Sequence, residues 1–247
     1  MLITEADKQF LAEPFHSIEG WCVDEPAWLT TYLLRLQQSE NRVAPCFEIG
    51  VYKGRYFSVL VNGARAANQD VIGFDTFAYC PIPVVEETVR VATGSLEGVR
   101  FVQGDSTKMS TADLSEQLGG RKAAFCSVDG GHTPAEVLSD LLLSESVLEP
   151  WGIVSVDDFY NPMAIGVTEG VMRFWLQHET NLVPIAYCRN KLLAVNKEFA
   201  AHYSNHVLQF SEENQHLPFV KVMLDHKNLR GLHWAKQEFL GRQVWIL

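Results

Sequence analysis

The chain has 247 residues, 47% of them hydrophobic and 20% charged, with a formal net charge of −10. A chain of this length buries roughly three quarters of its unfolded surface, and its ordinary apolar fraction excludes a mainly disordered state. Thirty acids against twenty bases argue against nucleic acid or anionic lipid as partner, because a polyanion is held through a basic surface and counterion release.

No apolar stretch approaches the roughly 20 residues of a membrane span. The start, MLITEADKQF, lacks the basic beginning and apolar core of a secretory signal. A cytoplasmic protein is expected. Cys22, Cys46, Cys80, Cys126 and Cys188 are scattered without a C-x-x-C pair, and read as reduced thiols of a reducing compartment.

Residues 1–44 are expected to form a helical cap. Within it Asp24–Gln38 reads as a helix, with Asp24 as cap, Pro26 in the first turn, and Trp28, Tyr32, Leu33 and Leu36 on one face. A β/α alternation then begins. Strands are expected at Pro45–Val51, Val71–Phe77, Val99–Asp105, Ala123–Asp129 and Gly152–Asp158. Helices are expected at Gly54–Asn68, Val84–Ala92 and Pro134–Leu148. Strands separated by helical segments imply parallel βαβ units.

Leu182–Tyr187 and Lys191–Val195 flank Cys188-Arg189-Asn190 and read as an antiparallel hairpin. The expected fold class is α/β: a doubly wound, mostly parallel seven-stranded sheet over residues 45–197, closed by this hairpin. Residues 198–247 form an extension packed on the same domain, with a β-like run at Phe219–Leu224 and aromatic residues Trp234 and Trp245. The cap and this aromatic tail leave a homodimer open.

Ligands of such sheets sit beyond the carboxyl ends of the strands. All five ends carry an acid: Glu48, Asp75, Asp105, Asp129 and the pair Asp157-Asp158. Acids at such places also cap the helices that follow. Between the first strand and its helix, Gly50 and Gly54 flank Val51-Tyr52-Lys53, a turn where backbone can approach a ligand and a helix N-terminus offers free N–H groups. The spacing is not G-x-G-x-x-G, since position 52 is tyrosine and the third glycine is missing. Asp75 suits the two hydroxyls of a ribose, and Asp105 with Ser106 an adenine amino group. Together these describe a nucleoside pocket.

Asp129, Asp157 and Asp158 stand at neighbouring strand ends. Three such carboxylates repel unless a cation compensates them, and oxygen-rich sites suit Mg²⁺ or another divalent ion. His132, three residues past Asp129, reads as the proton acceptor. Tyr160, Asn161 and Pro162 read as pocket lining or a plain turn. His202 and His206 read as a solvated helix face, and Trp21, Trp28, Trp151 and Trp175 as core or cap packing.

The set resembles the class I S-adenosylmethionine-dependent methyltransferases, over about residues 20–196. Glu48-Ile49-Gly50-Val51-Tyr52-Lys53-Gly54 is similar to the first motif of the catechol type. Asp129-Gly130-Gly131-His132 with Asp157-Asp158 resembles the TylF-like, macrolide-sugar branch, grouped with methyltransferase type 24. The resemblance implies a Rossmann-like methyltransferase fold and O-methylation of a small-molecule acceptor such as a sugar, a catechol or another polyhydroxyl compound. It implies S-adenosylmethionine held by Glu48, Gly50, Tyr52, Gly54, Asp75, Asp105, Ser106 and Asp129. It further implies Mg²⁺ on Asp129, Asp157 and Asp158, with His132 and Asp129 catalytic.

Two departures stand out. Tyr56 occupies the place where the family has Ser or Thr at the methionine carboxylate, with Ser58, Lys53 and Arg55 as substitutes nearby. Asp157 stands where the macrolide-sugar branch often has Glu. Three rivals stay open: a nicotinamide-dependent oxidoreductase, a non-catalytic nucleoside-binding relative, and a hydroxylase-linked tailoring enzyme.

Overall fold

Short strands of four to nine residues order into one central sheet in the computed structural model, which describes residues 2–231 and 235–247. The first forty residues form helices α1 (Glu5–Ala12), α2 (Pro14–Ser17) and α3 (Asp24–Ser39). Asp24 does not cap α3. Val23 holds the cap position, and the Asp24 carboxylate instead lies 3.0 Å from His16 Nε2. Helix α3 is buried on nearly every side, so its core contribution exceeds the single face expected.

The alternation follows as β1 (Cys46–Ile49), α4 (Arg55–Arg65), β2 (Val71–Asp75), α5 (Ile82–Thr93), β3 (Val99–Gln103), α6 (Thr111–Gln117), β4 (Ala123–Val128), α7 (Pro134–Val147) and β5 (Leu148–Val156). Helix α8 (Ile165–Gln177) leads to the hairpin β6 (Leu182–Cys188) and β7 (Lys191–Asn196). Helices α9 (Ala200–Glu213) and α10 (Pro218–Arg230) and strands β8 (Lys236–Phe239) and β9 (Arg242–Ile246) complete the described chain.

The strand order is β3-β2-β1-β4-β5-β7-β6-β9-β8. Strands β1 to β5 run parallel, and β7 returns antiparallel between β5 and β6. The mostly parallel sheet with its reversed hairpin is therefore as expected. It has nine strands among the described residues rather than seven, because β9 adds parallel to β6 and β8 folds back on β9. Phe219–Leu224 lies inside α10, not in a strand; Pro218 opens that helix and fixes its first turn. Of the tail's aromatics, Trp245 is buried and its indole N–H donates to the Ser204 carbonyl at 2.7 Å, while Trp234 lies outside the described residues. All five cysteines are free, four of them buried and Cys22 partly so. Among the described residues no helix is long and apolar enough to cross a membrane.

The sheet positions the site through register. Ile49 pairs with Val128 and Val128 with Val156, so the residues one step beyond stand side by side. Backbone bonds carry the ladder past the strands: Gly50 N donates to Phe74 O at 2.8 Å, Asp129 N to Ile49 O at 2.8 Å, and Asp157 N to Val128 O at 2.9 Å.

Candidate active site

Beyond these strand ends lies a cleft of about 930 Å³. Among the described residues its wall includes Glu48, Gly50, Tyr52, Asp75, Asp105, Ser106, Asp129, His132, Asp157 and Asp158. Every donor, metal and base residue expected from the sequence is on this wall except Gly54, and of Tyr160, Asn161 and Pro162 only Asn161 lines it.

The two glycines serve chain packing. Gly50 has φ +87°, and a Cβ there would lie 1.8 Å from the Asp129 carbonyl oxygen. Gly54, also at φ +87°, faces Val89 and Val85 rather than the cleft. The close approach inferred for Gly50 is thus made by the Asp129 backbone. Asp75 is equally occupied. One carboxylate oxygen accepts from Val51 N and Tyr52 N at 2.8 and 2.9 Å, and the other from Phe77 N at 2.8 Å. Asp105 accepts from Thr107 N and Oγ1, which hold its carboxyl below the usual range.

Tyr56, at the departure noted above, points its hydroxyl to Thr30 Oγ1 at 2.7 Å. Ser58 donates to the Gly54 carbonyl at 2.7 Å within its own helix. Arg55 donates to the Ile18 and Gly20 carbonyls, and Lys53 pairs with Glu19 at 2.5 Å. Both cations thereby fasten the segment after α2 over the cleft mouth. Trp21 sits on that segment, 80% exposed, and stacks on Tyr52 with centroids 5.2 Å apart. It lines the cleft rather than packing in the core.

The acids at β4 and β5 divide into two groups. In the first, Asp158 Oδ2 lies 3.2 Å from His132 Nε2, and its Oδ1 accepts from Asn161 Nδ2 at 2.6 Å and Asn190 Nδ2 at 3.1 Å. Asp158 holds the left-handed conformation, φ 57°, which an aspartate adopts at some cost and which turns its carboxylate toward His132. The His132 side chain is half exposed to the cleft.

In the second group, Lys191 Nζ lies 2.8 Å from Asp157 Oδ2 and 3.7 Å from Asp129 Oδ2. The 2.8 Å contact is an ion pair whose angles fall off hydrogen-bond alignment. Lys191 is buried, with its ammonium 4.0 Å above the Tyr56 ring centroid. Burial disfavours its charge, but Asp157 and Asp129 outweigh that and hold the ammonium well above its ordinary range. Burial also opposes the Asp157 charge, and Lys191 reverses the balance, leaving its carboxyl below the usual value. Glu48, buried beside Ser127 Oγ at 3.1 Å, is pushed up to about 8 by burial, against the pull of Lys191.

This division bears on the expected metal triad. The carboxylates of Asp129 and Asp157 already share an ammonium, so a divalent ion gripped by Asp129, Asp157 and Asp158 together would lie against a buried like charge. The three-aspartate set does not fit that ion. The atoms that do converge belong to Asp129, His132 and Asp158, within 4.8 Å of one another. A second such group joins Glu40, His202 and His206; the two histidines are half-buried there, not a solvated face.

The family model described as a methyltransferase domain matches residues 47–159. No curated protein matches the chain. Among solved structures, the O-methyltransferase NovP is similar at 16% identity, covering 69% of this chain and 78% of its own, with a TM-score of 0.58. An O-methyltransferase from Bacillus cereus in complex with SAH is similar at 12% identity, covering 77% and 90%, with a TM-score of 0.53. The methyltransferase MycE, in complex with Mg, SAH and mycinamycin VI, is similar at 15% identity, covering 79% of this chain and 55% of its own, with a TM-score of 0.53.

The matched segment runs from within β1 to just past β5 and includes every donor, metal and base residue expected from the sequence. Lys191 and Asn190 lie beyond it, on the hairpin. Sequence reasoning missed both. The signal for Lys191 is a lysine heading an otherwise apolar run, KLLAV, in the strand that returns beside Asp157.

Proposed function

We propose that the chain transfers a methyl group from S-adenosylmethionine to a hydroxyl of a small molecule, with His132 as proton acceptor. The observation that carries this reading is the His132–Asp158 contact at 3.2 Å, opening on the cleft that the glycine turn and Asp75 also border. Glu48 Oε2, on the same wall, is buried without a partner, an acceptor suited to the amino group of a methionine moiety. S-adenosylmethionine, when bound, supplies an activated sulfonium methyl, so acid–base help is needed only at the acceptor.

The residues of this chain then do three things. The turn at Gly50–Gly54, braced by Asp75, shapes the wall on the nucleoside side. Asp158 orients the imidazole through Nε2, leaving the other ring nitrogen to take the proton from the acceptor hydroxyl as its oxygen bonds to the methyl carbon. The carbon–sulfur bond breaks with its electron pair left on sulfur, and holding oxygen, carbon and sulfur in line supplies much of the rate.

Magnesium dependence is the competing reading: Asp129, His132 and Asp158 offer ligand atoms within 4.8 Å of one another, but an ion there would occupy the imidazole that the reading above uses as base. Small polyhydroxyl acceptors are favoured by the acid-lined wall of the cleft and by MycE, whose structure contains mycinamycin VI. The deciding experiment titrates the protein with S-adenosylmethionine and with NADH, then screens hydroxyl acceptors with labelled donor, with and without Mg²⁺ and EDTA. Binding of S-adenosylmethionine and labelled product support the reading. Binding of NADH alone overturns it in favour of the oxidoreductase, and donor binding without transfer to any acceptor in favour of a non-catalytic relative.

A further inference from the structure

We propose that Lys191 is the resident counter-charge of this acidic site: its ammonium takes the position among Asp129 and Asp157 that a divalent cation would need, and transfer runs through the His132–Asp158 pair without a metal. The inference deepens the methyl-transfer reading and rests on it for the reaction, but not for the charge arrangement.

Register puts the lysine there. Leu192 of β7 pairs with Val156 of β5, so the next residues outward, Lys191 and Asp157, adjoin across the sheet. The hairpin turns at Arg189, φ 61°, immediately before it. The lysine side chain is 1% exposed, so its charge sits among these carboxylates rather than in solvent. Its ammonium has the Asp157 carboxylate at 2.8 Å, that of Asp129 at 3.7 Å, and the Tyr56 ring at 4.0 Å.

A divalent ion binds carboxylate oxygens at roughly 2.0–2.6 Å. On Asp129 and Asp157 it would stand within a few ångströms of a charge that cannot leave, in surroundings that screen poorly. The third expected ligand, Asp158, is also engaged: one oxygen by two side-chain amides, the other by His132. The tyrosine at position 56 then has a purpose, since its ring face receives the ammonium where a small hydroxyl residue would not. Asp157 Oδ1 is the one oxygen of that carboxylate left without a partner, and it is the atom a cation would take once the lysine charge is gone.

The test is Mn²⁺ titration followed by electron paramagnetic resonance, on a His202→Ala background so that the Glu40–His202–His206 group does not contribute. It needs no acceptor, so it decides the charge arrangement whether or not methyl transfer is found. The otherwise unaltered site should leave the free-Mn²⁺ signal intact. Lys191→Met, which keeps length and removes charge, should bind one equivalent at least about tenfold more tightly, and Asp157→Asn added to it should abolish that binding. Where transfer is measurable, EDTA should leave the wild-type rate unchanged. Stoichiometric Mn²⁺ binding that is lost on Asp129→Asn or on Asp157→Asn alone would overturn the proposal, even if Lys191→Met failed to fold. So would a folded Lys191→Met that gains no Mn²⁺ site, or wild-type transfer that stops in EDTA.

Discussion

His132 Nε2 stands 3.2 Å from Asp158 Oδ2, while Asn161 and Asn190 donate to the opposite oxygen of the same carboxylate. The imidazole is therefore aimed by a group that is itself aimed from two other segments of the chain. His132→Ala should lower kcat for methyl transfer about 100-fold or more, with S-adenosylmethionine affinity unchanged. Asp158→Asn should cost about 100-fold, because an amide no longer fixes the ring tautomer. Single-turnover rates and donor-binding isotherms check both; equal losses in rate and donor affinity would assign these residues to the donor site instead.

Asp75 joins the glycine turn to β2 through Val51 N and Tyr52 N. Asp75→Ala strips the charged acceptor from both and from Phe77 N. The dissociation constant for S-adenosylmethionine should rise about tenfold or more. Calorimetric titration reads this directly.

Gly50 has no room for a methyl group, with the Asp129 carbonyl 1.8 Å from where a Cβ would stand and φ at +87°. Gly50→Ala should cost about 3 kcal/mol or more and lower Tm by about 5–10 °C. It should also displace Asp129, so donor binding falls further than stability alone explains.

Asp140, in α7, is fully buried, has the Ser106 hydroxyl as its only helpful neighbour, and forms no aligned hydrogen bond. Burial pushes its carboxyl up to about 6 from an ordinary 3.8. The folded chain thus retains a proton that the unfolded chain has lost, so this group's contribution to stability falls as pH rises from about 4 through 6. Asp140→Asn should flatten that slope and stabilise the protein at pH 8 by about 1–3 kcal/mol. Denaturant midpoints measured across the window check the sign.

The parallel strands were legible in sequence because short apolar runs, buried on both faces in all but the edge strand β3, leave few alternatives, and each was followed by or ended at an acid where the sheet stops. Asp129 and Asp157 could be placed side by side for the same reason: neighbouring parallel strands end at one level. What escaped was whatever depended on the antiparallel return. Lys191 reaches Asp157 only through the β5–β7 pairing, a contact between residues 34 positions apart by sequence number that no local pattern announces. The C-terminal helices and β8–β9 were equally opaque. Glu-, Lys- and Gln-bearing segments such as Lys236–Phe239 form a strand only because β9 offers them a partner. Trp21 was misplaced because an exposed tryptophan and a buried one look alike in a sequence.

The contact between Gly50 and the Asp129 backbone welds the glycine turn to the loop that carries His132, main chain against main chain. In the proposed reaction, the alignment of the reacting atoms is then a property of the scaffold, insulated from the rim where Trp21, Tyr79 and Met163 border the opening. Acceptor scope of the proposed reaction is accordingly open to redesign: exchanging those rim side chains should reshape what enters without retuning the trajectory of the methyl group.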